Sequence, residues 1–354
     1  MYCPGRTELM QSVSTVTIPP RVDERPVPVS GASWPLFVVG SSRSGTTFLA
    51  SVLASSQEFP LYKAETKLLS LCSQKYGPLH RDENYRRFLN DWTASTQFLR
   101  SGLDSQEFRR RVDNHHSSYA EFLVYFMGAI AMNQGKQRWL EKTPEHVFAM
   151  DELSGALPEA RFVHIIRDGR DVAISRRKTG WVGTSSKNKV TQLIGAAIEW
   201  ERAVIAGREA GEMLGERYLE VSYENLVDNT EDVLEVLNSF AGIRLSIESL
   251  ESSDVGSLRR SNSAFAGRDT GISKSAVRRW RGMLSDSELH AINTVIGKTL
   301  ESLGYADTND RLSPRCYDYW RTKAVEVSLR CYLAMKHLIK TRTPLGRLSR
   351  SRLP

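Results

Sequence analysis

The segment with the clearest chemical signature is VVGSSRSGTT, residues 38–47. A short apolar run leads into Gly40, and Gly45 follows after four residues, just before two threonines. This spacing is that of a phosphate-binding loop, in which backbone N–H groups and the positive end of the next helix surround an anion. The lysine of the usual loop is replaced by Thr46, and the nearby base is Arg43. The sequence therefore predicts an anion site that differs from an ATPase site.

The side chains of this loop are suited to hold anionic oxygens. Ser44, Thr46 and Thr47 supply hydroxyl donors. Arg43 adds a guanidinium with several donors, and because the pKa of arginine lies above about 12, we expect it to stabilise charge without acting as an acid.

A second group of polar residues occurs in FVHIIRDGRDVAIS, residues 162–175. Arg167 ends an apolar strand, which is where open α/β sheets place their ligands. Ser175 lies eight residues later in the predicted helix, and a turn at Asp168–Gly169 would let both side chains reach one phosphate. The alternative is that Arg167 is a surface charge and Ser175 a hydroxyl on a helix face.

The elements around these motifs alternate between strands and helices. Such alternation predicts an α/β fold: a three-layer arrangement with a parallel sheet, a P-loop-like nucleotide site and helices on both faces. Residues 70–135 are predicted to form a helical cap whose aromatic side chains line an acceptor cleft or form the core of the cap. The predicted strands lie at 35–40, 59–65, 137–144, within 160–177 and within 217–226, with helices over 84–133 and 232–243.

Composition restricts the class of protein. The chain has 354 residues and a formal net charge of +7, which permits anionic partners, but no nucleic-acid motif appears, and we expect none as a partner. Four cysteines form no CxxC pair, and neither a signal-peptide h-region nor a membrane span is evident. These features favour a cytoplasmic protein. We predict a loosely ordered segment over 1–34, the main domain over 35–306, and a basic helical extension over 307–354.

The extension has an apolar and basic character. Leu333, Met335, Leu338 and Ile339 are predicted to line one helical face, and many Arg and Lys residues follow. Two interpretations remain open: a solvated basic tail after a packed helix, or contact with an acidic membrane surface or partner. The oligomeric state is not predicted.

In combination the motifs resemble those of the sulfotransferases that use 3′-phosphoadenosine 5′-phosphosulfate (PAPS). RSGTT (43–47) is similar to the 5′-phosphosulfate loop of that family, and Arg167 with Ser175 is similar to its 3′-phosphate motif. Three later segments, YENL, SKSAVRRW and LESLGY, also resemble the family, so that the resemblance covers about residues 35–305. It implies PAPS as co-substrate, no required metal, and cofactor-binding roles for Arg43, Ser44, Gly45, Thr46, Thr47, Arg167, Ser175, Tyr223, Lys274 and Arg279.

The resemblance also implies the residues that perform the transfer. KAETKLL (63–69) is similar to a segment of the bacterial and tyrosylprotein branches in which the Glu is the base, so Glu65 is the predicted general base. Lys142 is predicted to stabilise charge together with Arg43, and His146 is the rival base. The implied acceptor is a hydroxyl on a small molecule, glycan, lipid or peptide tyrosine. The competing function is a P-loop kinase, with Asp168 as its acidic residue.

Overall fold

The computed structural model describes residues 34–112, 118–252, 276–305 and 316–342. Within these ranges the centre of the fold is a parallel four-stranded sheet with the order β2-β1-β3-β4. The strands are β1 (Leu36–Gly40), β2 (Leu140–Lys142), β3 (Arg161–Ile166) and β4 (Tyr218–Ser222).

Helices surround the sheet. The first seven are α1 (Thr46–Ala54), α2 (Ser73–Tyr76), α3 (Asp82–Thr93), α4 (Thr96–Leu99), α5 (Ser105–Val112), α6 (Tyr119–Asn133) and α7 (Met150–Ala156). Those that follow are α8 (Gly169–Thr179), α9 (Lys189–Leu214), α10 (Tyr223–Asp228), α11 (Thr230–Ala241), α12 (Ile247–Ser252), α13 (Trp280–Met283), α14 (Asp286–Ser302) and α15 (Cys316–Arg342). A π-helical turn spans Leu68–Cys72, and 3₁₀ turns span Pro144–Ala149 and Gly215–Arg217.

The central strand β1 is apolar on both faces because helices cover both sides of the sheet. Phe37 and Val39 pack into one core, whereas Leu36 and Val38 pack into the opposite one. A continuous apolar run is the pattern expected for a parallel strand buried on two faces. The predicted α/β fold with a parallel sheet between helices is therefore confirmed.

The predicted strand over residues 59–65 is wrong, because this stretch is not part of the sheet. Pro60 has no N–H to donate to a sheet ladder. The backbone N–H of Leu61 donates instead to the Gln134 side chain at 2.8 Å, and the Leu61 carbonyl accepts from the same amide at 3.2 Å. A side chain thus satisfies the backbone groups that a neighbouring strand would have bonded.

The helices from α2 to α6 contribute a group of aromatic side chains to the core that also contains Phe37 and Val39 of the sheet. Phe88, Trp92, Phe122 and Phe126 are fully buried, and the Phe88 and Phe122 ring centroids lie 4.8 Å apart at an edge-to-face angle. These four aromatic side chains were predicted either to line an acceptor cleft or to form a core, and the structure shows that they form a core.

The ends of the chain lie partly outside the described residues. Of the predicted N-terminal segment only Trp34 is described, and it packs against the guanidinium groups of Arg138 and Arg161 at 4.2 and 4.3 Å. Helix α15 packs against α9 and α14. Leu333 is buried in that contact while Met335 and Leu338 are exposed, so the predicted single face is wrong. Within the described ranges no helix is both long and apolar enough to cross a membrane.

A close contact between α9 and β3 holds the long helix against the sheet. A Cβ atom at Gly207 would lie 2.3 Å from the imidazole of His164, so only glycine fits there without a shift. The His164 ring is fully buried, and its Nδ1 lies 2.7 Å from the Tyr218 hydroxyl. Burial lowers the pKa of His164 from 6.5 to about 4, although Glu220 opposes the shift.

We predict that His164 makes the fold sensitive to mild acid. Since its pKa is lower in the folded state, the unfolded chain binds more protons between about pH 6.5 and 4, and stability falls as the pH drops through this window. The loss should amount to roughly 2 kcal/mol at pH 5. Urea unfolding at pH 7 and pH 5 should show a smaller pH effect in His164→Asn, whereas the exposed control His80→Asn should behave as the wild type. Equal pH effects in all three proteins would contradict this assignment.

Candidate active site

The loop between β1 and α1 turns sharply at residues with unusual backbone conformations. Gly40 has φ of 147°, and a Cβ there would lie 2.6 Å from the Ile165 carbonyl oxygen. Gly45 has φ of 102°, and a Cβ there would lie 2.5 Å from the Tyr223 ring. Arg43, unlike the two glycines, has a side chain, and its φ of 80° is unfavourable for such a residue. Such strain is typical of ligand-binding loops.

This loop directs hydrogen-bond donors into one concave region. Helix α1 begins after Gly45 with no side chain capping its first turn. The N–H groups of that turn and the helix dipole are therefore open to an anion. The Ser44 hydroxyl is buried and has no hydrogen-bond partner among the described residues. Thr46 is buried and Thr47 is half-buried in the first turn of α1.

The second predicted group meets this loop directly. The Asp168 side chain caps α8 by accepting from the Arg170 N–H, which turns the helix back from the end of β3. The Arg43 Nε then donates to the Ser175 hydroxyl at 3.0 Å. Two residues 132 positions apart in the chain are thus in direct contact, and the phosphate loop lies beside the helix that carries Ser175.

Arg167 is held firmly beside the loop. Its guanidinium donates to the Ala276 carbonyl, lies 3.6 Å from Asp171 and stacks 4.5 Å above the Tyr223 ring. Tyr223 itself is buried and packs against Gly45. The Tyr223 ring therefore contacts both the phosphate loop, at Gly45, and the guanidinium of Arg167.

Positive charge accumulates where these groups meet. Burial lowers the pKa of Arg43, and the charges of Arg167 and Arg279 lower it further. The Nε atoms of Arg167 and Arg279 are buried and have no hydrogen-bond partner in the described part of the chain. Unpaired donors on mutually repelling cations are suited to a phosphate or sulfate group, which would accept from them and reduce the repulsion.

Of the late segment SKSAVRRW, the structure describes the residues from Ala276 onward. Lys274 lies outside the described residues. Trp280 is buried in the core beneath α8, where its backbone N–H donates to the Asp171 carboxylate at 2.9 Å and Arg170 stacks on its ring at 3.7 Å. It thereby fixes the position of the neighbouring Arg279.

Glu65 and Lys142, which were predicted separately as base and charge-stabilising residue, form an ion pair at the end of β2. Lys142 Nζ donates to Glu65 at 2.7 Å, and Lys67 lies 3.6 Å from the same carboxylate. The Glu65 side chain is 28% exposed, so a substrate can reach it. The Ser42 hydroxyl donates to Glu145 at 2.9 Å and so joins the phosphate loop to the segment after Lys142.

A buried carboxylate that was not predicted from the sequence, Glu141, organises this pair. Glu141 accepts from the Thr66 hydroxyl at 2.8 Å, from the Thr143 hydroxyl at 2.6 Å and from His146 at 2.9 Å. Burial alone would raise the pKa of the Glu141 carboxyl, but His146 and the two hydroxyls lower it below the usual value. Thr66 and Thr143 each adjoin one member of the Glu65–Lys142 pair. The feature of the sequence that could have indicated this role is the position of Glu141, a charged residue within the predicted strand over 137–144.

His146, the rival base, is fully buried as a partner of Glu141. Its Nε2 has no hydrogen-bond partner among the described residues, but the ring has no exposed surface through which to reach an acceptor. The geometry favours Glu65. Asp168, the acidic residue of the kinase alternative, pairs with Arg170 at 2.8 Å and caps α8, which leaves it poorly suited to hold a metal.

Comparisons with known proteins agree with this geometry. A family model described as "Sulfotransferase family" matches residues 35–246, more than half of the chain. The sulfotransferase domain of the Synechococcus PCC 7002 olefin synthase is 21% identical with a TM-score of 0.53, over 80% of this chain and 100% of that domain. The sulfotransferase domain of the curacin biosynthetic pathway is 18% identical with a TM-score of 0.52, over 78% and 99%. No curated protein sequence matches significantly.

The fold and the loop define a P-loop-like transferase. The chain belongs to the sulfotransferase family, as the sequence resemblance implied. Family membership and the occupied Asp168 carboxylate together argue against the kinase alternative.

We predict that Glu141 is a positioning residue. Glu141→Gln keeps the shape but exchanges one acceptor oxygen for a donor, so Thr66 or His146 loses its partner and the Glu65–Lys142 pair shifts. The kcat for sulfuryl transfer should fall roughly 10- to 100-fold, as expected for a small misplacement of catalytic groups. The KM for the sulfuryl donor should change little, because the phosphate loop is separate. The exposed control Glu159→Gln should have no effect, and an unchanged kcat in Glu141→Gln would exclude the role.

Proposed function

We propose that the protein transfers a sulfuryl group from PAPS to a hydroxyl acceptor by in-line displacement. The observation that carries the proposal is the Arg43–Ser175 hydrogen bond, which makes the phosphate loop and the Arg167–Ser175 pair two parts of one site. A nucleotide with anionic groups at both its 5′ and 3′ positions matches a site with two adjacent sets of donors. An ordinary adenine nucleotide would leave one set unpaired.

The residues of the loop side would hold the 5′-phosphosulfate. Arg43, Ser44, Thr46 and Thr47, with the N–H groups at the start of α1, surround the place where charge develops on the leaving phosphate. Arg167, Ser175 and Arg279 would hold the 3′-phosphate, and Lys274 stays a predicted member of this group. These fixed cations supply the charge that kinases obtain from Mg²⁺, so we expect transfer without an added metal.

Glu65 would take the proton of the acceptor hydroxyl as its oxygen attacks sulfur. The S–O bond to the acceptor forms, the bond from sulfur to the bridging oxygen breaks, and the leaving phosphate keeps the electron pair. Lys142 orients the Glu65 carboxylate at 2.7 Å and places positive charge beside the group in transfer. Catalysis would thus depend on positioning and electrostatics, with no covalent intermediate on the protein.

The acceptor belongs to the class of alcohols and phenols, and the exposed Glu65 carboxylate suits any of them. We further propose that the enzyme works in the reducing environment of the cytoplasm. This is supported by free thiols at Cys72 and Cys331, the two cysteines whose state the structure describes.

The first prediction from this proposal concerns the 3′-phosphate. Adenosine 3′,5′-bisphosphate should bind at least about tenfold more tightly than AMP, since charge-assisted hydrogen bonds contribute about 1.5–3 kcal/mol each. Isothermal titration with EDTA present measures both affinities. Arg167→Ala should remove most of the preference, whereas the control Arg86→Ala, an exposed arginine on α3, should retain it. Equal affinities for the two nucleotides in the wild type would refute PAPS as donor.

The second prediction concerns the base. Glu65→Gln should lower kcat about 10²- to 10⁴-fold, the usual contribution of a general base, and should leave adenosine 3′,5′-bisphosphate binding unchanged. Transfer from ³⁵S-labelled PAPS to a panel of alcohols and phenols measures the rate. The control is Glu58→Gln, which changes an exposed glutamate seven residues before Glu65. If Glu65→Gln keeps full activity with an acceptor that the wild type uses, the assignment of Glu65 fails.

A further inference from the structure

Helix α15 carries apolar side chains on two opposite sides. Its inner side packs on α9 and α14 through Leu329 and Leu333, which are 7% and 5% exposed. Its outer side presents four large apolar residues that are 50–65% exposed. We name this set the outer stripe: Trp320, Val327, Met335 and Leu338.

The spacing of the outer stripe places it along one line of the helix. Its members are separated by seven, eight and three residues, which on a helix of 3.6 residues per turn keeps them within one narrow sector. Ala324 and Cys331 are also exposed and fall in the same sector. From Trp320 to Leu338 the stripe extends for about 27 Å at 1.5 Å per residue. A continuous apolar surface of this size indicates a binding partner.

The charges near the outer stripe are positive. Arg321 and Lys336 are exposed on the same helix, about 40° and about 100° around its axis from Met335. Glu326, the last acidic residue of the sequence, is buried on the inner side and accepts from Lys323 and Arg330 at 2.8 and 2.9 Å. The 28 residues from Val327 onward contain Arg and Lys but no Asp or Glu. Among the described side chains of α15, those that are both charged and exposed are basic, and an apolar stripe accompanied by basic side chains is complementary to an anionic lipid surface.

We propose that the outer stripe binds an anionic membrane surface, with α15 lying in the plane of the interface. Trp320 and the aliphatic side chains would enter the region between headgroups and acyl chains, and Arg321 and Lys336 would contact lipid phosphates. The inner side would remain packed on α9 and α14, so the whole domain would be carried to the surface. This inference does not depend on the sulfuryl donor or on the acceptor.

A second copy of the chain fits the stripe less well. Two α15 helices facing each other would bring two basic segments together, and the described exposed residues of α15 include no acidic side chain to pair with them. Like charges across an interface oppose association. A lipid surface that contains phosphate groups neutralises the same residues.

Vesicle binding of the full chain tests the proposal. The wild type should co-sediment with phosphatidylcholine vesicles that contain phosphatidylglycerol, more weakly with phosphatidylcholine alone, and less at high salt. The triple variant Trp320→Ser, Val327→Ser, Leu338→Ser should bind at least about tenfold more weakly, given the apolar surface it removes. Arg321→Gln with Lys336→Gln should lower binding to the anionic vesicles by about tenfold or more.

Matched controls separate this role from general surface hydrophobicity. Met132→Ser with Met213→Ser removes two side chains that are 70% and 73% exposed on other helices, and it should bind as the wild type. Thermal unfolding verifies that each variant is folded. Failure of the wild type to bind anionic vesicles, or equal loss in the control, overturns the proposal. A wild-type dimer that becomes a monomer in the triple variant, without vesicle binding, would identify the stripe as an interface between copies and overturn it as well.

Discussion

Electrostatic repulsion among three arginines is the constraint on which the active site depends. Arg43, Arg167 and Arg279 are close enough for each of the last two to lower the pKa of the first. The contacts of Arg43 and Arg167 leave Arg43 without a neutralising partner: a serine hydroxyl lies at the Arg43 Nε, while a carbonyl, a tyrosine ring and the Asp171 carboxylate at 3.6 Å contact Arg167. An anion bound beside Arg43 would reduce the repulsion among the three guanidinium groups. Ligand binding and the local stability of the site are therefore coupled.

The parallel sheet brings these groups together because its strands all end at the same edge. The last residue of β2 is Lys142 and that of β1 is Gly40. Arg167 and Tyr223 each come one residue after the end of their strands, β3 and β4. Most side chains with a proposed role in binding or catalysis lie at a strand end, a helix start or the loop beside it, whereas Ser175 lies within α8 and Glu65 in the segment before the π-helical turn. The buried faces of the sheet keep those ends in register, so that packing of Phe37 and Val38 on opposite sides contributes to the geometry of a site that neither residue touches.

The sequence predicted what short-range patterns encode. The glycine loop, the Arg167–Ser175 spacing and the apolar strands are local, and family resemblance added the order in which they occur. The strand over 59–65 was wrong because an apolar alternating pattern does not reveal that Gln134, far along the chain, satisfies its backbone. Leu333 was assigned to the wrong side of its helix because apolar residues occupy both sides of α15. Periodicity alone does not separate two apolar faces.

Glu141 shows most clearly what the sequence could not provide. Its partners Thr66 and His146 lie 75 residues before it and 5 after it, and only the pairing of β2 with β1 brings the 66–67 segment beside the strand. A buried carboxylate is costly unless donors bond to it, and here two hydroxyls and an imidazole do so. Two of these donors, Thr66 and Thr143, directly follow Glu65 and Lys142 in the chain. The bonds that offset the cost of burying the Glu141 charge therefore also fix the positions of Glu65 and Lys142. The accuracy of the catalytic pair thus depends on a residue that never meets the substrate.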